Sequence, residues 1–138
     1  MIVARVFLLI IFYLSSSVYA YEDNVPITTD NRIKTYIYNP NEVYLLVLHV
    51  GFQSYIEVDK NEQIQTIVLG DTYAWKMNTL GNRIFINTLE KNVRTNMTII
   101  TNKRLYEFDL VSKEIIDNDY TNVVYAVKFY YPKTQINR

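Results

Sequence analysis

The sequence predicts an all-β fold, an antiparallel β-sandwich of about eight or nine short strands that follows a cleaved signal peptide. Apolar and polar residues alternate with a period of two along most of the chain. Turn-forming residues interrupt these runs, and no stretch has the sustained apolar spacing of an amphipathic helix. Many short strands separated by turns are typical of sandwiches and barrels.

Residues 1–20 have the pattern of a secretory signal peptide. One positive charge lies in residues 1–5, residues 6–14 are an unbroken apolar run, and three serines follow. Small side chains before the junction predict cleavage between Ala20 and Tyr21. A retained membrane anchor is the alternative, but a spanning helix needs about 20 apolar residues, more than twice this run. The mature chain would therefore work outside the cytoplasm.

The mature chain is predicted to contain an N-terminal arm at 21–32, one β-sandwich domain at 33–132 and a frayed tail at 133–138. Strands are expected at residues 33–38, 43–50, 54–58, 64–68, 73–77, 84–86, 97–101, 105–110 and 123–131. Asn, Asp, Gly and Pro occupy most of the breaks, where they favour turns. A helix fits residues 88–95 best, but their Asn and Thr content favours a loop.

Alternation also predicts which side chains share a face of each strand. The expected same-face sets are Ile33, Thr35 and Ile37; Ile64, Thr66 and Val68; Tyr106, Phe108 and Leu110, with Glu107 and Asp109 opposite; and Val123, Tyr125, Val127, Phe129 and Tyr131. The segment 43–50 is almost entirely apolar, which predicts a strand that is covered on both faces or lies centrally in a sandwich.

The composition excludes several functional classes. Fourteen Lys and Arg balance 14 Asp and Glu, so the chain lacks the basic excess of a protein that tracks nucleic-acid phosphates. Cysteine is absent, which excludes disulfides, thiolate metal sites, Cys nucleophiles and lipoprotein acylation. Three glycines are too few for a phosphate-binding loop. We therefore expect no cofactor, no metal, no nucleic acid and no direct membrane insertion.

No group of residues indicates catalysis. His49 is the only histidine, and at the end of an apolar strand it is more typical of a packed or edge residue than of a base. The acidic pairs are Asp59 with Glu62, Glu107 with Asp109, and Asp117 with Asp119. Their spacing in sequence does not establish the separation that a two-carboxylate hydrolase needs. We expect a protein that is not an enzyme.

Three further motifs have structural interpretations. Gly70-Asp71 is predicted to form a turn, with Gly supplying a positive φ and Asp bonding to nearby backbone N–H groups. Trp75 alternates with Tyr73 and Met77, which is more typical of a core or interface than of a ligand site. Asn96-Met97-Thr98 matches a glycosylation sequon but is interpreted as the start of a strand.

Several segments, in order, resemble one known family. They are residues 31–43 (NRIKTYIYNPNEV), 49–53 (HVGFQ), 62–67 (EQIQTI), 69–75 (LGDTYAW), 96–108 (NMTIITNKRLYEF) and 129–132 (FYYP). The signature positions are Asn39, Pro40, Gly51, Gly70, Asp71, Trp75, Asn96, Thr101, Arg104, Tyr106 and Phe108. This set resembles the TrbG/CagX family, the ninth VirB component of type IV secretion systems, over roughly residues 31–132.

The resemblance implies a structural subunit in a ring-shaped core complex of the periplasm, associated with the cell envelope through its partners. The implied partners are the tenth VirB component (TrbI/CagY-like) and full-length TrbG/CagX-like subunits, with ring assembly only in the complex. Family members normally carry a second, lipoprotein-binding β domain. Since this sequence ends at Arg138, it is expected to represent a shortened form with the amino-terminal domain only.

Four aromatic residues are candidates for the subunit contacts: Tyr36, Tyr38, Tyr130 and Tyr131. Exposed aromatic side chains commonly anchor protein interfaces. The alternative is that these tyrosines lie in the core or scatter over the surface. An alternative function is a stand-alone secreted β-sandwich that binds a protein or a glycan. The two functions differ in a measurable property, because a ring subunit co-purifies with secretion components and a binding module is a free monomer.

Overall fold

The computed structural model describes residues 29–133, which form nine β-strands. They are β1 (Ile33–Ile37), β2 (Val43–His49), β3 (Gln53–Glu57), β4 (Ile64–Leu69), β5 (Trp75–Leu80), β6 (Arg83–Thr88), β7 (Arg94–Thr101), β8 (Leu105–Lys113) and β9 (Ala126–Tyr130). The predicted signal peptide, its cleavage site at Ala20 and Tyr21, most of the N-terminal arm, and residues 134–138 of the predicted tail lie outside the described residues.

The strands form two sheets that pack face to face. One sheet has the order β1-β9-β3-β6-β5 and the other has the order β2-β8-β7-β4. The predicted all-β sandwich is thereby confirmed, and the segment 89–93 is a loop rather than a helix. The edge strands are β1 and β5 in the first sheet and β2 and β4 in the second.

The core lies between the two sheets and is formed by alternate residues of each strand. Its fully buried large side chains include Leu46, Leu48, Ile56, Ile84, Ile86, Met97, Ile99, Tyr106, Phe108, Leu110 and Val127. The predicted inward set of β8 is confirmed, since Tyr106, Phe108 and Leu110 are buried while Glu107 and Asp109 are partly exposed. Trp75 belongs to the same buried cluster, as the sequence predicted.

The strand pairing differs from the predicted antiparallel arrangement. Strands β1 and β9, β3 and β9, and β2 and β8 pair in parallel, whereas the remaining four pairs are antiparallel. The chain reaches these parallel neighbours through long sequence separations, for example from Ile33 to its partner Ala126. Alternation describes the faces of a strand and carries no information about its neighbour, so this pairing was not predictable from the pattern.

The edge strand β2 is covered on one face only, which corrects the predicted double coverage. Tyr44, Leu46 and Leu48 are buried, but Val43 is 62% exposed and Leu45 is 51% exposed on the outer face. An apolar run is therefore not a sufficient signal for a central strand. In this chain the run leaves an apolar stripe on the surface at the border of the second sheet.

Irregularities interrupt two of the predicted same-face sets, and the set of β1 has an exposed member at Ile37. A register shift between Ile64 and Thr66 in β4 turns Val68 outward, to 55% exposure. Regular structure in the last strand begins only at Ala126, and Tyr125 before it is exposed. In β1, Ile37 is exposed, and the partly buried tyrosines Tyr36 and Tyr38 contact the core instead.

We predict that two neighbouring leucines of β2 differ sharply in their contribution to stability. Leu46→Ala removes a fully buried side chain and should lower the free energy of unfolding by about 2–5 kcal/mol. Leu45→Ala, on the exposed face, should change it by less than about 0.5 kcal/mol. Urea denaturation of both variants measures the difference. Equal losses would contradict the one-sided coverage of β2.

Candidate functional site: a buried carboxylate network and a lateral cleft

The side chain of Glu62 is the centre of a buried hydrogen-bond network, and none of it is exposed to solvent. Its Oε1 accepts a 2.9 Å hydrogen bond from the hydroxyl of Thr101. Its Oε2 accepts bonds from the Tyr106 hydroxyl at 2.6 Å and from the Asp59 backbone N–H at 3.0 Å. The bond to Asp59 closes the turn between β3 and β4, in the manner of a Glu that reaches back three residues.

Tyr131 and Arg104 complete the network. The hydroxyl oxygens of Tyr131 and Tyr106 lie 2.7 Å apart, and the Asp59 N–H also donates to Tyr131 at 2.9 Å. Arg104 places its guanidinium carbon 4.0 Å from the centre of the Tyr131 ring. Arg104 Nη1 lies 3.3 Å from Glu62 Oε1, in an orientation that makes an ion pair without a hydrogen bond.

This network is built for stability rather than for catalysis. Both carboxylate oxygens of Glu62 are occupied by protein donors, so neither is free to take a proton from a substrate. Burial raises the pKa of Tyr106 far above its usual range, and the bond to Glu62 adds to that shift. Burial also raises the pKa of Tyr131. Both phenols are therefore protonated at neutral pH and can donate hydrogen bonds within the network.

The network joins side chains from separate segments that carry the family resemblance. Thr101, Arg104 and Tyr106 come from the segment 96–108, and Tyr131 comes from the closing segment 129–132. Sequence reasoning named Glu62 only in an acidic pair with Asp59 and as the first residue of the segment 62–67, and it did not predict the network. The Asp59-x-x-Glu62 spacing, which is that of a capping box, was a further signal for its role.

Gly70 and Asp71 form the predicted turn, but the role of Gly70 in it differs from the predicted one. Tyr73 N–H donates to Asp71 Oδ1 at 2.9 Å, which is the expected side-chain turn. Gly70 does not have a positive φ. A Cβ at this position would lie 2.5 Å from Asn96 Oδ1 and 2.7 Å from Thr95 Oγ1, so a larger residue would have to displace these two side chains of β7.

The remaining signature residues have local structural roles. Asn39 accepts a hydrogen bond from Asn41 N–H in the turn around Pro40, and Gly51 has a φ of 87° in the turn after β2. Asn96 lies inside β7, two residues after the strand begins, and its backbone O accepts a bond from Gly70 N–H. The sequon at Asn96 is therefore within a paired strand rather than at its start.

The candidate interface tyrosines are half-buried, and two of them, Tyr36 and Tyr131, contact the ring of Phe129. The ring of Phe129 lies within 6.4 Å of the rings of Tyr36 and Tyr131, and 4.9 Å from that of Tyr106. The rings of Tyr38 and Tyr106 make an edge-on contact, with their centres 5.1 Å apart. Tyr130 is half-buried on the opposite face of β9. A contact role for these four residues stays a prediction.

An open cleft lies between edge strands β1 and β2, with a volume of about 520 Å³. We call it the lateral cleft, and its lining includes Lys34, Tyr36, Leu45, Val47, His49 and Lys113. His49 is 9% exposed, as expected of a packed edge histidine, and its Nδ1 has no hydrogen-bond partner. Burial lowers the pKa of His49, and the charge of Lys113 lowers it further. His49 therefore lines this cleft as an uncharged side chain at pH 7.

Residues 29–133 contain neither a metal-binding cluster nor a membrane-spanning helix. No cluster of three or more His, Cys, Asp or Glu side chains has the arrangement of a metal site in that part of the chain. None of its segments is a helix of the length and hydropathy that crosses a membrane. The principal features of the described chain are thus the network, the lateral cleft and the four edge strands.

The sequence model of the CagX family, described as conjugal transfer protein, matches residues 31–138. The chain belongs to this family. It is 27% identical to the type IV secretion system protein virB9 of Bartonella quintana, over 96% of this chain and 49% of that protein. It is 30% identical to the type IV secretion system protein PtlF of Bordetella pertussis, over 69% of this chain and 40% of PtlF.

The chain spans about half the length or less of the curated relatives it matches. A solved titin I27 domain mutant aligns with 57% of this chain at a TM-score of 0.33 and 12% identity, which is too distant to support an inference. The family assignment therefore depends on sequence. The segments that the network joins all lie within the region that the family model matches.

We predict that Glu62→Gln lowers the free energy of unfolding by about 2–4 kcal/mol. The amide replaces one carboxylate oxygen with an NH2 group, which cannot accept the hydrogen bonds that Glu62 accepts. It also removes the nearer of the two carboxylates beside Arg104, which keeps only Asp59 at 3.7 Å. Glu42→Gln, in an exposed turn, is the matched control and should have an effect below about 0.5 kcal/mol. Chemical denaturation compares them, and an unchanged midpoint for Glu62→Gln would show that the network does not stabilise the fold.

We predict that Asp71→Ala lowers the free energy of unfolding by about 0.5–2 kcal/mol, since it removes the bond to Tyr73 N–H. Asp71→Asn retains an acceptor oxygen and should restore most of the loss. Thermal denaturation measures both variants. A stable Asp71→Ala protein that has lost an ion or a partner would instead identify a ligand site.

Proposed function

We propose that this protein is a structural subunit of a type IV secretion core complex in the periplasm. The observation that carries the proposal is the match of residues 31–138 to the CagX family, together with relatives named as type IV secretion proteins. The buried network is consistent with this role, because it holds a rigid domain together and leaves no reactive group exposed at that end.

The edge strands supply the surfaces through which such a subunit would assemble. Each of the four carries an exposed large apolar side chain: Ile37 on β1, Val43 and Leu45 on β2, Val68 on β4, and Leu80 on β5. Soluble proteins usually protect sheet edges with charges, prolines or bulges. Apolar edges on both sides of the sandwich favour a head-to-tail arrangement in which each copy covers part of the next.

The proposed partners are those of a TrbG/CagX-like subunit. They are the TrbI/CagY-like tenth VirB component and full-length TrbG/CagX-like subunits, in a ring that forms only within the complex. Contacts with protein rather than with lipid would hold the domain at the cell envelope. A periplasmic location follows from the predicted signal peptide at residues 1–20.

Site-specific photocrosslinking tests this proposal in the bacterium that encodes the protein. A photoreactive residue at Val68 or Leu80, on the exposed edges of β4 and β5, should yield covalent adducts with secretion subunits. The same residue at Leu89, exposed in the loop after β6, is the matched control and should yield few. Mass spectrometry of the adducts identifies the partners.

One combination of results would contradict the proposed subunit role. If the protein elutes as a free monomer and neither edge position gives an adduct above the level of Leu89, the subunit role is wrong. A stand-alone binding module would then be favoured instead. That alternative has one observation in its support, since the lateral cleft has the volume of a ligand site.

A further inference from the structure

Strand β4 has a free backbone edge within the part of the chain that the structure describes. Gly70 N–H, just after the strand, donates a 3.0 Å hydrogen bond to Asn96 O on β7. Residues two positions apart in a strand direct their backbone groups to the same side, so Val68 bonds to β7 as Gly70 does. Ile67 and Leu69 therefore direct their N–H and C=O groups away from β7. None of these four groups has a hydrogen-bond partner within residues 29–133.

The other three edge strands of the described chain each carry a group that obstructs strand pairing. On β2, the Tyr36 hydroxyl donates a 2.9 Å hydrogen bond to Leu45 O. On β1 and β5 a charged side chain is present, Lys34 and Lys76 respectively. Lysines of this kind protect a sheet edge against a further strand. Strand β4 has the sequence IQTIVL, with neither a charge nor a proline, and its bulge affects only the first half of the strand.

The surroundings of the β4 edge are apolar and uncharged. Ile67 and Leu69 are partly buried against the core, and with three residues of β5 they line a depression of about 340 Å³ that has no charged side chain in its described lining. Lys76 of β5 lies on the opposite face of that strand from Met77, with Asn87 as its cross-strand partner. A charged side chain brought into this depression would lose its hydration without gaining a counter-ion. The edge therefore favours an uncharged strand.

A second β4 has both the chemistry and the spacing that this edge requires. It is itself uncharged, so neither copy places a charge against the other. In an antiparallel pair about a two-fold axis beside Val68, Ile67 of each copy faces Leu69 of the other. Each of these two residue pairs exchanges two N–H···O=C bonds. The resulting four bonds use every free N–H and C=O group that Ile67 and Leu69 present.

The ends of β4 disfavour the neighbouring two-fold registers. Moving the axis one residue along the strand would bring in either Gln65, which lies in the bulge, or Asp71, whose N–H already donates to Thr95 Oγ1 at 2.9 Å. In the remaining register the two copies of Val68 lie directly opposite each other, at a position without backbone hydrogen bonds. Their side chains, each 55% exposed in the single chain, then cover one another.

We propose that β4 is a contact surface for a second copy of this chain, which pairs with it edge to edge in the antiparallel direction. The two β2-β8-β7-β4 sheets then form one continuous sheet. A two-fold pair is closed, whereas a ring needs a head-to-tail contact. The pair is thus a state of the chain outside the core complex, and it must separate before β4 can contact another secretion subunit. This inference goes beyond the proposed function and does not depend on it.

Single-cysteine variants of the purified full chain test the contact, since the sequence has no cysteine of its own. Val68→Cys should form a disulfide-linked dimer under mild oxidation, because residues opposite each other at a position without backbone hydrogen bonds are within disulfide distance. Val43→Cys is the matched control, since Val43 is 62% exposed on the edge strand β2 of the same sheet. Thr66→Cys, exposed on the same face of β4, tests the register, because the two copies of residue 66 would lie about 14 Å apart.

Hydrogen exchange of the unmodified chain gives an independent measurement. The amides of Ile67 and Leu69 should exchange more slowly as the protein concentration rises, since pairing protects them. The amide of Thr35 is the control, because it faces the free edge of β1 on the other side of the sandwich. Its neighbours on the paired side bond to β9, as Tyr38 N–H does to Tyr130 O at 2.8 Å. Exchange at Thr35 should not depend on concentration.

A charge at the contact should separate the two copies. Val68→Lys places like charges opposite each other and removes the Val68 contact, so it should raise the dissociation constant of the dimer by about five- to tenfold. Val43→Lys should leave that constant unchanged. Sedimentation equilibrium measures both variants.

The inference is overturned if Val68→Cys forms no more dimer than Val43→Cys, if Thr66→Cys is trapped as readily as Val68→Cys, or if Val68→Lys has no larger effect than Val43→Lys. Concentration-independent exchange at Ile67 and Leu69 would also overturn it, and this measurement gives an answer even if a variant does not fold. Circular dichroism shows whether each variant is folded. The purified chain contains no secretion subunit, so a negative result here is separate from the photocrosslinking result in the bacterium.

Discussion

The buried carboxylate of Glu62 is the constraint on which this domain depends. It contacts Thr101 at the end of β7 and Tyr106 at the start of β8, and through the tyrosine hydroxyls it reaches Tyr131 after β9. An isolated buried charge is very costly, so the carboxylate is compatible with folding only when these donors surround it together. The network therefore couples the closure of one end of the sandwich to the correct placement of three distant chain segments.

The edge strands of the sandwich differ from the network end in the groups that they expose. Polar groups at the network end are satisfied internally, whereas the edge strands expose apolar side chains such as Leu45, Val68 and Leu80. Strand β8 pairs in parallel with β2, and β9 pairs in parallel with β1. Strands β1 and β2 have no other neighbour and therefore lie at the edges of their sheets. A domain whose polar groups are hydrogen-bonded internally at one end, and whose sheet edges expose apolar side chains, is suited to function through contacts with other chains.

Most of the secondary structure was predictable because it depends on local chemistry. The alternation around Tyr106, Phe108 and Leu110 identified the core face of β8, and turn residues marked most strand ends. The turn at Asp71 followed from the tendency of Asp to bond a backbone N–H two residues later. Assignments failed where the pattern was ambiguous, as in the apolar run of β2, or where a bulge changed the phase, as at Thr66.

The sequence by itself determined the fold class, the approximate positions of the strands and the family, because periodicity, turn chemistry and ordered motifs are written in consecutive residues. Tertiary structure alone decided which strands pair in parallel, which lie at the edges, and which side chains of β7 approach Gly70. It alone placed Glu62 between Thr101 and Tyr106. These features join residues about 25 to 90 positions apart, and local propensity carries no information about which distant groups will meet.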